Sequence, residues 1–365
     1  MSDPDPVALY TSLRKILKHF SMSPKSTDIL NNALNILEQH NIHMLVWGGT
    51  RMAGFINACK QASAILVPFR DTLIAGNIRE EEAAVILSAK GLFTLELFSD
   101  LHPIFANHYL HCVDSDTILS SQVYNIAQNT AQKLISEDIQ TPKSDQIINS
   151  LTLDENNNVV VSLKDPLGGT HTQLLKEKVT RNNTIEKIKA NLMATKKNIL
   201  NRLHDNIVDQ TENEDSIFNL MTAFDLTSKE SKEEKVKKIR SLFALFGKET
   251  EHEVAEKWFG FTIQICYSKK IKCSEEELVK QFETSYEKIV RLGRELRDNL
   301  LLRDVPKVSK LTQHKLWVKF LSEMGLQCPD LCDLVLIMIS IPPNSGYVER
   351  AYSYLDQICQ KNETD

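Results

Sequence analysis

Apolar residues spaced three and four apart recur along almost the whole chain, and this period constrains the fold more than any other feature. Val7, Leu9, Leu13, Ile16, Leu17 and Phe20 make one stripe, and Ile29, Leu30, Ala33, Leu34 and Leu37 a second, parted by Ser23-Pro24. Such a stripe covers one face of an α-helix. Ser26 or Thr27 is placed to cap the second helix. Helical spacing continues from Thr50 to about Glu137, with breaks near Gly76 and Asp114, where Asp114, Ser115 and Asp116 offer caps. It resumes after Gly169 and runs to Cys359, interrupted near 205–215, 247–250, 269–274 and 304–309. Two stretches depart from it. Residues 42–47, closed by Gly48-Gly49, suit one buried strand. Residues 147–164, where Leu151, Leu153, Val159, Val160, Val161 and Leu163 flank a polar turn, read as a hairpin. Glycine and proline number only 12 and 11 of 365 residues, too few for a sandwich, a propeller or a glycine-punctuated dinucleotide fold. The expected fold class is mainly α, with few strands.

Charge narrows the partners. With 43 Lys and Arg against 48 Asp and Glu the formal charge is −5, so any nucleic-acid contact needs a local basic stripe. Residues 174–204 hold eight Lys or Arg and two Glu, and 205–215 answer with five acids; residues 305–320 carry Lys307, Lys310, Lys315 and Lys319 and no acid. Lys187, Lys189, Lys196, Lys197, Arg202, Lys315 and Lys319 are the candidate phosphate contacts, against the plainer reading of a solvated helix face. The seven cysteines form no C-x-x-C pair, the N-terminus lacks a charged-then-apolar leader, and the apolar run at 334–341 is shorter than the roughly 18 residues of a membrane span. A reduced, intracellular protein off the membrane is expected.

Chemical motifs are sparse. His108, His111 and Cys112 share a helical face near His102, but without a known zinc-helix pattern they read as core. Cys328 and Cys332 read as small buried hydrophobes. The sequence holds no G-x-S-x-G, H-E-x-x-H, P-loop or G-x-G-x-x-G. No metal, cofactor or small-molecule substrate is expected.

The C-terminus carries the most information. Residues 328–341 form a dense apolar helix stopped by Pro342-Pro343, and Asn344 or Ser345 caps a last helix. So much apolar surface calls for a partner, and Leu331, Leu334, Val335, Met338, Tyr347, Ala351, Tyr352 and Leu355 are the candidate dimerisation residues.

The string ISIPPNSGYVERAYS at 339–353 resembles the C-terminal signature of hAT-superfamily transposases, with Glu349-Arg350 at its E-R. Thr50-Arg51-Met52 before an amphipathic stretch is similar to the family's T-R-W entry into its helical insertion, and 98–137 is similar to the insertion's second and third helices. The resemblance implies an RNase H-like core interrupted by a helical insertion, with three acids clamping two divalent metals for DNA strand cleavage. Only the third acid is matched, by Glu349. The two aspartates belong upstream of the region matched by 7–50, and Met52 stands in place of the family's tryptophan. The implied organisation is a remnant of the RNase H-like core at 1–50, a helical insertion domain at 51–306 with its small hairpin near 147–164, and an hAT-type dimerisation region at 307–365.

The implied function is that of a domesticated or truncated, catalytically inactive relative, with Glu349 vestigial. It acts by dimerising with itself or with a related hAT-derived protein, and works in the nucleus by resemblance, otherwise in the cytoplasm. Two alternatives stand beside it: a DNA-binding chromatin or transcription regulator using the basic stripes, and a scaffold in a SUMO-ligase-like complex, for which no RING-like cysteine and histidine array is present. Asp100, Asp114 and Asp116 read as loop and cap residues rather than as further catalytic acids.

Overall fold

The computed structural model describes residues 6–36, 52–105, 119–164, 169–178, 184–209, 217–246, 271–301 and 311–340. The protein is mainly helical, as the apolar period requires. It divides into two compact units, one of Met1–Asn107 with Lys133–Leu203, the other of His108–Gln132 with His204–Asp365. The expected boundaries at 50/51 and 306/307, and the strand expected at 42–47, lie outside the described residues. Among the described residues no helix is long and apolar enough to cross a membrane.

The first unit opens with α1 (Pro6–Met22) and α2 (Pro24–Ile36). Leu9, Leu13, Ile16, Leu17 and Phe20 of α1, and Leu30 and Leu34 of α2, are buried as their spacing demands. The start of α2 differs from expectation. It begins at Pro24, and Ser23 Oγ accepts the Ser26 amide at 3.4 Å, so the cap lies before Ser26 and Thr27. Proline explains the shift, because its fixed φ suits the first helical position and it has no amide to satisfy there.

Next come α3 (Met52–Ala64), α4 (Leu66–Ala75), α5 (Glu80–Ile86) and α6 (Ala89–Ile104). Helix α6 is the centre of this unit: Leu92, Phe93, Leu95, Leu97, Phe98 and Leu101 bury all its sides, which is why it lacks a polar face. It packs on α1, α3 and α5. Gly91 makes that packing possible, since a Cβ there would stand 2.0 Å from the Val85 carbonyl oxygen.

After α7 (Ser120–Leu134), which falls mostly in the second unit, come α8 (Pro142–Ser150) and strands β1 (Leu151–Leu153), β2 (Asn158–Lys164) and β3 (Thr170–Lys178). The strands form one antiparallel sheet in the order β1-β2-β3, with Thr152 opposite Val160 and Val161 opposite Gln173. The hairpin expected near 147–164 is therefore present. Asp154 closes it by accepting the amides of Asn156 and Asn158 at 2.9 and 2.8 Å, while Asn157 takes φ 59°. The helical reading directly after Gly169 is corrected: Thr170–Lys178 is a strand, held by its ladder to β2 rather than by its own pattern. Helix α9 (Ile185–Asp209) follows.

In the second unit, α10 (Ile217–Met221) runs into a 3₁₀ turn at Thr222–Phe224, followed by α11 (Lys232–Phe246), α12 (Glu275–Leu301), α13 (Gln313–Met324) and α14 (Pro329–Ser340). Leu278, Phe282, Ile289, Leu292 and Leu296 give α12 one buried stripe, which meets α11, α13 and α14. Trp317 lies at the middle of this core, edge-on to Phe224 at 5.7 Å and to Phe320 at 5.3 Å, and its Nε1 donates to the Phe224 carbonyl at 3.1 Å.

Candidate functional site

Helix α14 carries the first half of the candidate association residues. Leu331, Leu334, Val335 and Met338 are each 0% exposed, in one core cluster with Phe282, Leu292, Trp317 and Phe320. Their apolar surface is thus covered by this chain's own helices. Tyr347, Ala351, Tyr352, Leu355 and Glu349 lie outside the described residues, as does most of the 339–353 string. Cys328, just before this helix, and Cys332 on it are buried, as expected of small apolar residues. Burial pushes both thiols up, Cys332 to about 11, so neither presents a thiolate at neutral pH.

The seven candidate phosphate contacts divide between the units. Lys187, Lys189, Lys196, Lys197 and Arg202 lie on α9 in the first, Lys315 and Lys319 on α13 in the second. Lys187, Lys197 and Arg202 are exposed, whereas Lys189 and Lys196 are half-buried. Lys196 is bound to Asp145 at 2.8 Å and Lys319 to Glu295 at 3.1 Å. These two already face a carboxylate, which lowers what they offer a phosphate.

Two polar networks, the first half-buried and the second buried, escaped the sequence reading. In the first unit, Lys143 Nζ donates to Ser63 Oγ at 2.8 Å and to Ser99 Oγ at 3.0 Å, and Ser63 donates to Glu96 Oε2 at 2.6 Å. Desolvation holds the Glu96 carboxyl above its ordinary range, against the hydrogen bond from Ser63 and the charge of Lys143. One turn on, Asp100 accepts the backbone amides of Ser144 at 2.9 Å and Lys143 at 3.3 Å. Asp100 is thus a residue of α6 that caps the start of α8, not a loop residue. His102 is bonded to Asn57 at 2.8 Å, and Asp114, Asp116, His108, His111 and Cys112 lie outside the described residues. A serine beside a lysine is a nucleophile and base in some hydrolases. Here Lys143 is exposed and Ser63 is spent on Glu96, so the arrangement fastens helices α3, α6 and α8.

In the second unit, Asp225 is buried and accepts Asn125 Nδ2, Gln313 Nε2 and the Thr227 hydroxyl, each at 2.7 Å. Gln313 also accepts the Leu226 amide at 3.1 Å. Beside them the buried Lys235 ammonium donates to the Ala223 and Asp225 carbonyls at 3.3 Å, and desolvation holds its pKa below the usual lysine range. The partners are about 90 to 100 residues apart in the chain, so no local motif announces them. Among the described residues no three His, Cys, Asp or Glu side chains converge as a metal site.

Comparison of the chain with family models, with curated proteins and with solved structures finds no match.

Proposed function

We propose that this chain is an hAT-transposase-derived association protein that joins two copies, or a copy and a related hAT-derived chain. The observation that carries the reading is the 339–353 string with its Glu349-Arg350 pair. The burial of Leu331, Leu334, Val335 and Met338 refines the seam. In this reading the intermolecular contact falls to Tyr347, Ala351, Tyr352 and Leu355. The RNase H-like remnant, the helical insertion and a nuclear site of action belong to the same proposal. Light scattering on a sizing column tests it. A dimer for the full chain and a monomer of unchanged helicity for Tyr352→Asp with Leu355→Asp support the seam; equal masses refute it.

DNA binding is the second reading, favoured by the exposure of Lys187, Lys197 and Arg202 on one helix. Affinity for a duplex should fall steeply with salt, and Lys197→Glu with Arg202→Glu should flatten the logarithmic slope by roughly two, about 0.9 per phosphate contact. Binding that ignores salt removes this reading.

A further inference from the structure

We infer that a cleft in the first unit, between the start of α2 and the turn joining α4 to α5, binds a small phosphate monoester. The cavity holds about 570 Å3, within the range of small-molecule sites. Its polar lining is one-sided. His19 comes from the end of α1, Lys25 and Ser26 from the first turn of α2, Asn77 and Arg79 from the α4–α5 turn, and no acidic side chain lines it. Lys25 and Arg79 make no ion pair with any described residue. Of the neighbouring acids of α5, Glu82 is bound to Lys15 at 2.9 Å and also feels the Arg79 charge, and Glu80 lines an adjoining groove that shares Asn77 with the cleft.

Three features fit a dianion with an organic body. Lys25 and Arg79 supply two positive charges, a compact ammonium and a planar fork, which match the two negative charges of a phosphate monoester at neutral pH. The Lys25 amide stands at the positive end of the 13-residue α2, where Pro24 contributes none and the Ser26 amide is taken by Ser23 Oγ. Ile29 and Ile78 give the cleft an apolar wall for the rest of the ligand.

The lining is also held in place before any ligand arrives. Ser26 is 7% exposed, and its hydroxyl is 3.0 Å from both His19 Nε2 and Ser23 Oγ, which fixes the imidazole at the mouth. On the opposite side Asn77 and Arg79 both adopt left-handed backbone, at φ 45° and 48°. Ile78 between them is buried and its amide donates to Leu73 O at 3.1 Å. Two strained residues in so short a turn persist only where the surroundings enforce them, and such strain gathers at ligand clamps.

The test is calorimetric titration of the full chain with ribose 5-phosphate and, separately, with inorganic phosphate. Ribose 5-phosphate should bind one to one, and Lys25→Gln or Arg79→Gln should each weaken it about tenfold, the scale of one lost hydrogen bond to a charged group. Lys280→Gln, which removes an equal charge outside the lining of the cleft, should change it less than about twofold. No heat with either probe overturns the site. Equal weakening by Lys280→Gln reduces it to diffuse attraction and overturns it too. If inorganic phosphate binds as tightly as the ester, the organic part of the assignment is wrong.

Discussion

Gln313 Nε2 donates to Asp225 Oδ1 at 2.7 Å, joining the first residue of α13 to the turn before α11 across 88 residues of sequence. The same side chain accepts the Leu226 amide, so one glutamine satisfies a buried carboxylate and a buried N–H. Gln313→Leu keeps the volume and strips both bonds. Since each buried polar group left unpaired costs roughly 1–3 kcal/mol, the variant should lose about 2–5 kcal/mol in urea unfolding. A loss under about 0.5 kcal/mol, the level of a neutral surface change, would mean that water replaces the glutamine.

Glu96 gives the first unit a pH-dependent term. Its folded pKa is raised by desolvation, so between the unfolded value and that higher folded value the native state holds more protons than the unfolded chain. Stability therefore falls as pH rises from about 4.5 through the folded pKa, then levels off. Glu96→Gln keeps an oxygen for Ser63 and removes the charge. Its urea midpoint should exceed the parent's at pH 7, and the two should converge near pH 4. Asp100, raised in the same direction, is coupled to Glu96, so the difference also contains the relief that Asp100 gains when the Glu96 charge is removed. A gap that is constant with pH would assign the effect to packing.

What was legible in the sequence was the periodic part. Leu9, Leu13, Ile16, Leu17 and Phe20 were placed on a buried face correctly because a helix needs only local spacing to show. The β1–β2 hairpin was legible through its Asp154–Asn158 turn chemistry. Strand β3 was not, because Leu174-Leu175 followed by charged residues fits a helix as well as a strand; pairing with Val160 and Val161 decides it. The apolar density of α14 was plain, but spacing cannot say whether Leu334 meets this chain or another. The cleft was invisible for a different reason. His19, Lys25 and Arg79 are ordinary surface residues until the fold brings α2 beside the α4–α5 turn, and only Ser23-Pro24 and Gly76-Asn77 mark the bends that do so.

Among the described residues, Gly91 and Gly293 lie so close to backbone of another segment that neither has room for a side chain. A Cβ at Gly91 would lie 2.0 Å from Val85 O and 2.6 Å from Ile86 O, and one at Gly293 would lie 2.7 Å from Leu226 O. All three obstacles are backbone, which cannot rotate away. Gly91→Ala should destabilise by at least about 3 kcal/mol, the upper part of the overpacking range, and Gly293→Ala by less, in thermal unfolding. If alanine at 91 proves neutral, α5 and α6 are further apart than the structure places them.

Leu334 tests the core and Leu355 the proposed seam. Leu334 is fully buried among the helices of the second unit, so Leu334→Ala should lose about 2–5 kcal/mol, the transfer term plus the cavity left behind. That loss belongs to the fold of one chain and should not vary with protein concentration. Leu355→Ala, if residue 355 contacts a second copy, should leave the concentration-independent part intact and shift the dimer dissociation curve instead, because association stabilises only by mass action. Unfolding curves at two concentrations about a hundredfold apart read both effects at once, since a dimer stabilised by mass action shifts by roughly RT ln 100, about 2.7 kcal/mol. A parent protein whose midpoint does not move over that range has no dimer to lose, and the association reading then falls with it.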